Sequence, residues 1–173
     1  TILNKLANVN FTNDVPNQLK LLETKAAAYW QKMELGKTLA VLEVALKLAE
    51  SLGNKVKILE IHRDLLILNR SLLGPKGGIS NFESAQKVVG PNGKPEELRA
   101  LQEVYLVEAG LRAILGPFKM RSIERMMHLI KQDPKKVEDH KKLQKNGRAY
   151  LDSIAQMLEQ AGRLGGSNEI TKQ

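Results

Sequence analysis

Aliphatic side chains recur at steps of three and four residues along almost the whole chain, and no stretch alternates apolar with polar convincingly enough for a strand. Residues 17–35 carry Leu19, Leu22, Ala26, Tyr29 and Met33; residues 37–52 carry Leu39, Leu42, Leu46 and Ala49. The stripe continues as Ile58, Ile61, Leu65, Leu68 and Leu72 in 55–73, and as Val104, Val107, Leu111 and Ile114 in 95–115. It resumes as Ile123, Met126, Met127 and Ile130 in 118–132, then as Leu143, Tyr150, Ile154, Met157 and Ala161 in 134–163. A step of three to four puts side chains on one face of an α-helix, whereas a half-buried strand needs a step of two. With no strand there is no βαβ unit. The pattern predicts an all-α fold of six to seven helices, an antiparallel bundle or a stack of helical hairpins. The 37–52 segment widens its apolar face with Val41, Val44 and Leu48, so it is expected between neighbours.

Glycine and proline divide these helices. Gly36 separates the first two, and Gly53-Asn54 ends the second. "LLGP" at 72–75, "VVGP" at 88–91 and "ILGP" at 114–117 repeat one signal: two aliphatics, a glycine for a left-handed turn, a proline that forbids continuation. Each predicts a helix end. The link 74–94 is longer than the others and holds a short helix, which Ser80-Asn81-Phe82-Glu83 opens as a capping box. The expectation is one helical domain over 1–164, with halves 1–73 and 95–164 joined by 74–94 and an aperiodic tail at 165–173.

Composition narrows the function. Aromatic residues are only 4% of the chain, which confines the core to aliphatic side chains. No run approaches the roughly 18 apolar residues of a membrane span. There is no cysteine, which removes disulfides, thiolate nucleophiles and Cys-based metal sites, and fits a reducing, intracellular compartment. His62, His128 and His140 match no zinc or di-iron spacing; His62 and His140 fall near apolar stripes, as core histidines do. No metal or cofactor is expected.

"VVGPNGKPEE" at 88–97 looks like a phosphate loop, but only two residues separate Gly90 from Gly93-Lys94, and Pro95 stands where a magnesium-binding hydroxyl belongs. Pro95, Glu96 and Glu97 suit a first helical turn instead. A weaker anion or partner loop remains at Lys76, Gly77 and Gly78, with Lys94. No nucleophile elbow and no isolated carboxylate pair is present, so the chain reads as a non-catalytic protein.

Charge is concentrated. Of a formal +8, residues 119–148 carry ten Lys or Arg against four acids, a local excess of six. Arg121, Arg125 and His128 share one helical face at i, i+4, i+7; Lys141, Lys145 and Arg148 do the same, with Lys142 beside them. Asp133-Pro134 supplies a cap and first turn between the two helices, and a fold-back there would merge the rows into one basic surface. The leading expectation is a binding or assembly module that engages a protein partner, or itself, through helical faces and this basic hairpin. The alternative is a nucleic-acid-binding protein that grips phosphate backbone without stacking bases, since aromatics are nearly absent there. An anionic membrane surface is a weaker partner for the same charges.

Overall fold

The computed structural model describes residues 14–90, 92–131 and 137–166. Among these residues six α-helices follow in order: α1 (Val15–Gln31), α2 (Leu35–Ser51), α3 (Lys55–Leu73), α4 (Ile79–Val88), α5 (Pro95–Lys131) and α6 (Val137–Gly166). A 3₁₀ turn occupies Gly74–Lys76, and no strand occurs among the described residues. The fold is all-α, with sequence neighbours packed on one another. It divides into two compact units, Thr1–Val104 and Tyr105–Gln173. The division falls inside α5 and leaves 74–94 wholly within the first unit.

In the first unit, Asp14 caps α1 by accepting the amide of Asn17 at 3.2 Å, and Pro16 lies in the first turn. α1 stops earlier than Gly36 predicts. Met33 takes the left-handed conformation at φ 59, with its amide on the Trp30 carbonyl and the Glu34 amide on that of Tyr29. Gly36 falls within α2 instead. Lys37 clamps the turn, 2.5 Å from Glu34 and over the Tyr29 ring. α2 packs between α1 and α3 as its broad apolar face requires, yet Val44 stays exposed. The more enclosed helix is α3, which buries Ile58, Leu59, Ile61, Leu65, Leu66 and Leu68 between α2 on one side and α4 on the other. Each fully buried leucine contributes about 1.5–3 kcal/mol.

Segment 74–94 is folded onto α3. A Cβ on Gly77 would stand 2.6 Å from the carbonyl carbon of Asn69 and closer still to its oxygen; one on Gly78 would stand 2.6 Å from the Leu66 carbonyl oxygen. The two glycines therefore let the loop press against helix backbone. Arg70 donates to the Pro75 carbonyl, and the Asn69 and Asn81 side chains are joined at 3.0 Å. Phe82, Ala85 and Val89 bury the inner face. The expected capping box does not form: α4 starts at Ile79 from Gly78, with no side-chain cap, so Ser80 already lies inside the helix.

The first two Gly-Pro signals end helices; the third does not. α5 runs straight through Gly116-Pro117. Proline has no N–H for the Ala113 carbonyl, which costs the helix one bond. Against that, α6 lies alongside in the second unit. Gly116 is buried beside the Tyr150 ring, and the Tyr150 hydroxyl donates at 2.7 Å to the Arg112 carbonyl, next to the one proline leaves without its usual partner. Packing of the long helix outweighs the local breaker. Arg112 completes the junction, bonding Glu108 at 2.7 Å and Ser153 at 3.0 Å, with Glu108 only 1% exposed. The Asp133-Pro134 cap lies outside the described residues. α6 extends to Gly166, and 167–173 also lie outside them.

Candidate functional site

The described members of the two basic rows are at the surface. Arg121, Arg125, Lys141, Lys142, Lys145 and Arg148 are exposed, and none has an ion-pair or hydrogen-bond partner among the described residues. The side chain of His128 lies outside the described residues, as does that of His140. Helix periodicity orients each row relative to the contact between α5 and α6. Arg112 and Gly116 mark the side of α5 that meets α6, while Tyr150 and Ser153 mark the side of α6 that meets α5. At about 100° per residue, Arg121 and Arg125 fall roughly opposite the first side, and Lys141, Lys145 and Arg148 roughly opposite the second. Each row follows an outer edge of the hairpin.

The glycines of the candidate anion loop and Lys94 are not brought together. Gly77 and Gly78 are buried against α3 near Asn69, whereas Lys94 lies by Lys55 at the start of that helix. Fourteen helical residues separate the two places, about 20 Å of rise. At the start of α5, Glu97 already accepts the Lys94 amide at 3.2 Å and faces Lys55 at 3.9 Å, so a carboxylate of the chain occupies the position a phosphate would take. Among the described residues no group of acidic or histidine side chains is arranged to hold a metal, and no helix is long and apolar enough to cross a membrane. His62 is a core histidine, 6% exposed, with Nδ1 lacking a partner. Burial pulls its pKa below the usual value, and Glu50 only partly opposes this.

What sequence periodicity did not single out is a cleft of about 410 Å³ in the first unit. It lies between α1 and α3, which both pack on α2 but scarcely on each other. α2 supplies the floor through Thr38 and Leu42. Ala26 and Ala27 open the α1 wall, with Trp30 beside them; Ile61 and Ile67 form the α3 wall. Trp30 is the only tryptophan in the chain and is half-buried against the core.

The cleft's rim is acidic in a basic protein. Its charged lining is Glu23, Glu60 and Asp64 against Arg63 alone. Lys57 ties the near end, 2.9 Å from Glu23 and 2.8 Å from Glu60. Burial disfavours the lysine's charge, but the two carboxylates outweigh it and hold its pKa above the usual value. Arg63 reaches Glu103 at 2.6 Å and takes only Oδ1 of Asp64, at 3.1 Å; Oδ2 carries no hydrogen bond. Burial raises the Asp64 pKa above the ordinary carboxylate range, Arg63 opposes without reversing it, and Glu60 and Glu23 add to the rise. A carboxylate in that position gains from an incoming cation, which relieves both its burial and its acidic neighbours.

Three sequence features lie here: the lone Trp30, the small Ala26-Ala27-Ala28 run, and the Arg63-Asp64 pair ahead of the apolar run at 65–68 of α3. None identifies a cleft without knowing which helices flank which. Comparison with known proteins finds no matching family model, no matching curated sequence and no matching solved structure.

Proposed function

We propose that this chain is a non-catalytic protein-binding module whose α1–α3 cleft takes an amphipathic helical segment of a partner, apolar along one side with lysine or arginine beside it. The observation that supports it most is the pairing of an apolar floor with an acidic rim whose Asp64 Oδ2 is open. Two helices that flank a third leave room for one more against the same floor, the geometry of helix-in-groove recognition. Partner leucines would bury against Leu42, Ile61 and Trp30, and a partner cation would meet Asp64. The outer basic edges of the second unit steer encounter with acidic surfaces rather than form the pocket.

Trp30 reports on the cleft without a label. A synthetic helix of leucine and lysine, lacking tryptophan, is titrated against the full chain beside its leucine–glutamate counterpart. The lysine peptide is expected to shift Trp30 emission to the blue and to saturate, about tenfold tighter than the glutamate peptide, which is roughly 1.4 kcal/mol. Ala27→Arg, an exposed position on the cleft wall, removes the response. Equal responses to both peptides, or one that survives Ala27→Arg, overturn the reading.

A further inference from the structure

We infer that the segment this cleft receives is α6 of a second copy of this chain. The inference rests on the cleft reading above and names its partner. α6 carries what the cleft lacks. Arg148, Leu151, Ala155 and Leu158 stand at i, i+3, i+7 and i+10, so they form one stripe, and all four are exposed. Leu151 and Leu158 are each 51% exposed, large apolar side chains with about half of their surface open. Among the described residues Arg148, at the N-terminal end of that stripe, has no ion-pair or hydrogen-bond partner, and neither do Lys145 and Lys141 a turn or two before it.

Dimensions and charge agree. Leu151 and Leu158 are seven residues apart, about 10 Å of helix. Glu60 and Ile67, the limits of the cleft along α3, are also seven apart. Two leucines two turns apart therefore span the apolar floor, and with Leu151 at the Glu60 end an arginine one turn before it lies at the mouth of the cleft, beside the rim carboxylates Glu23 and Glu60 that Lys57 ties together. The contact joins two different surfaces, so each copy offers both halves of it. Such a contact either closes reciprocally in a pair or continues from copy to copy.

The test is solution mass against concentration for the full chain. From micromolar to millimolar, the mass should rise from the 19.3 kDa monomer to at least twice that value, with Trp30 emission moving to the blue in parallel. Ala27→Arg blocks the cleft and leaves α6 intact; Leu151→Glu with Arg148→Glu spoils α6 and leaves the cleft intact. All three positions are exposed, so helicity should hold. Each variant alone remains monomeric. Mixed together they pair, because the open cleft of one receives the intact α6 of the other, and the mixture stops at two copies. A wild type that stays monomeric throughout overturns the inference, as does association unaffected by either variant, or a mixture that fails to pair. If the leucine–lysine peptide binds while the wild type stays monomeric, the cleft reading stands and only its partner is wrong.

Discussion

Replacing Gly77 by alanine probes whether segment 74–94 is part of the first unit or merely passes beside it. The φ of Gly77 is −62, ordinary for any residue, so backbone strain plays no part. The added methyl would stand 2.6 Å from the Asn69 carbonyl carbon and 3.0 Å from the Leu73 Cβ, against backbone that cannot rotate away. Restoring normal contact needs a shift of about 1 Å, since carbon atoms rest near 3.5–4.0 Å apart. That shift strains the bond from Arg70 to Pro75 and the one between Asn69 and Asn81. Overpacking plus one weakened charge-assisted bond comes to about 2–4 kcal/mol. Urea unfolding followed by Trp30 fluorescence should show the midpoint falling by about 1–2 M. Gly36→Ala supplies the opposite sign: nothing lies within 4 Å of its added methyl, and helix propensity predicts a gain of about 0.5 kcal/mol. If Gly77→Ala unfolds within a few tenths of a kcal/mol of the parent, at unchanged slope, the docking of this loop on α3 is refuted.

Met33 holds a left-handed conformation at φ 59 with its side chain 73% exposed; Met33→Gly should therefore stabilise the first unit by about 1 kcal/mol in the same urea assay. His62 is held neutral by burial, its folded pKa below the ordinary 6.5, so its contribution to stability is complete above that value and is lost as pH falls through the folded pKa. Urea midpoints measured from neutral to mildly acid pH should decline, and His62→Leu should flatten the decline. In the second unit, Tyr150→Phe deletes the 2.7 Å bond to the Arg112 carbonyl and should cost about 1 kcal/mol, read by far-ultraviolet circular dichroism on heating. If each basic row faces away from the α5–α6 contact, as helix periodicity has it, a single-stranded oligonucleotide meets at most Lys141, Lys145 and Arg148 together. The slope of log affinity against log salt should be no steeper than about −2, and a slope near −4 would mean that both rows act at once.

Helix content and most helix starts were legible because they depend on local chemistry. Asp14 and Asn54 cap α1 and α3 through their side chains, and the aliphatic stripe of 55–73 became the buried faces of α3. Where local rules failed, tertiary contact had overruled them. Met33 took a turn that glycine usually takes, held by two backbone bonds and the Lys37–Glu34 pair. Gly116-Pro117 failed to stop α5 in a helix flanked by Tyr150, and Ser80 lost its capping role to a glycine pressed against Leu66.

The functional surface divides along the same line. Periodicity states which side chains share a face of one helix, so the exposure of Arg121, Arg125, Lys141, Lys145 and Arg148 followed directly from spacing. It does not state how far each helix is rotated toward its neighbour. That rotation is set by the small and polar residues at the α5–α6 contact, Gly116 receiving Tyr150 and Arg112 reaching Ser153. The cleft depends on a longer-range fact still: α1 and α3 both choose α2, so residues from 23 to 67 meet around a space that no one segment describes. Ala26 and Ala27 resemble stripe filler within α1, and Asp64 resembles a solvated charge within α3. Only their convergence on Leu42 makes an apolar floor under an acidic rim, and that convergence gives the exposed leucines and unpaired arginine of α6 a surface to match.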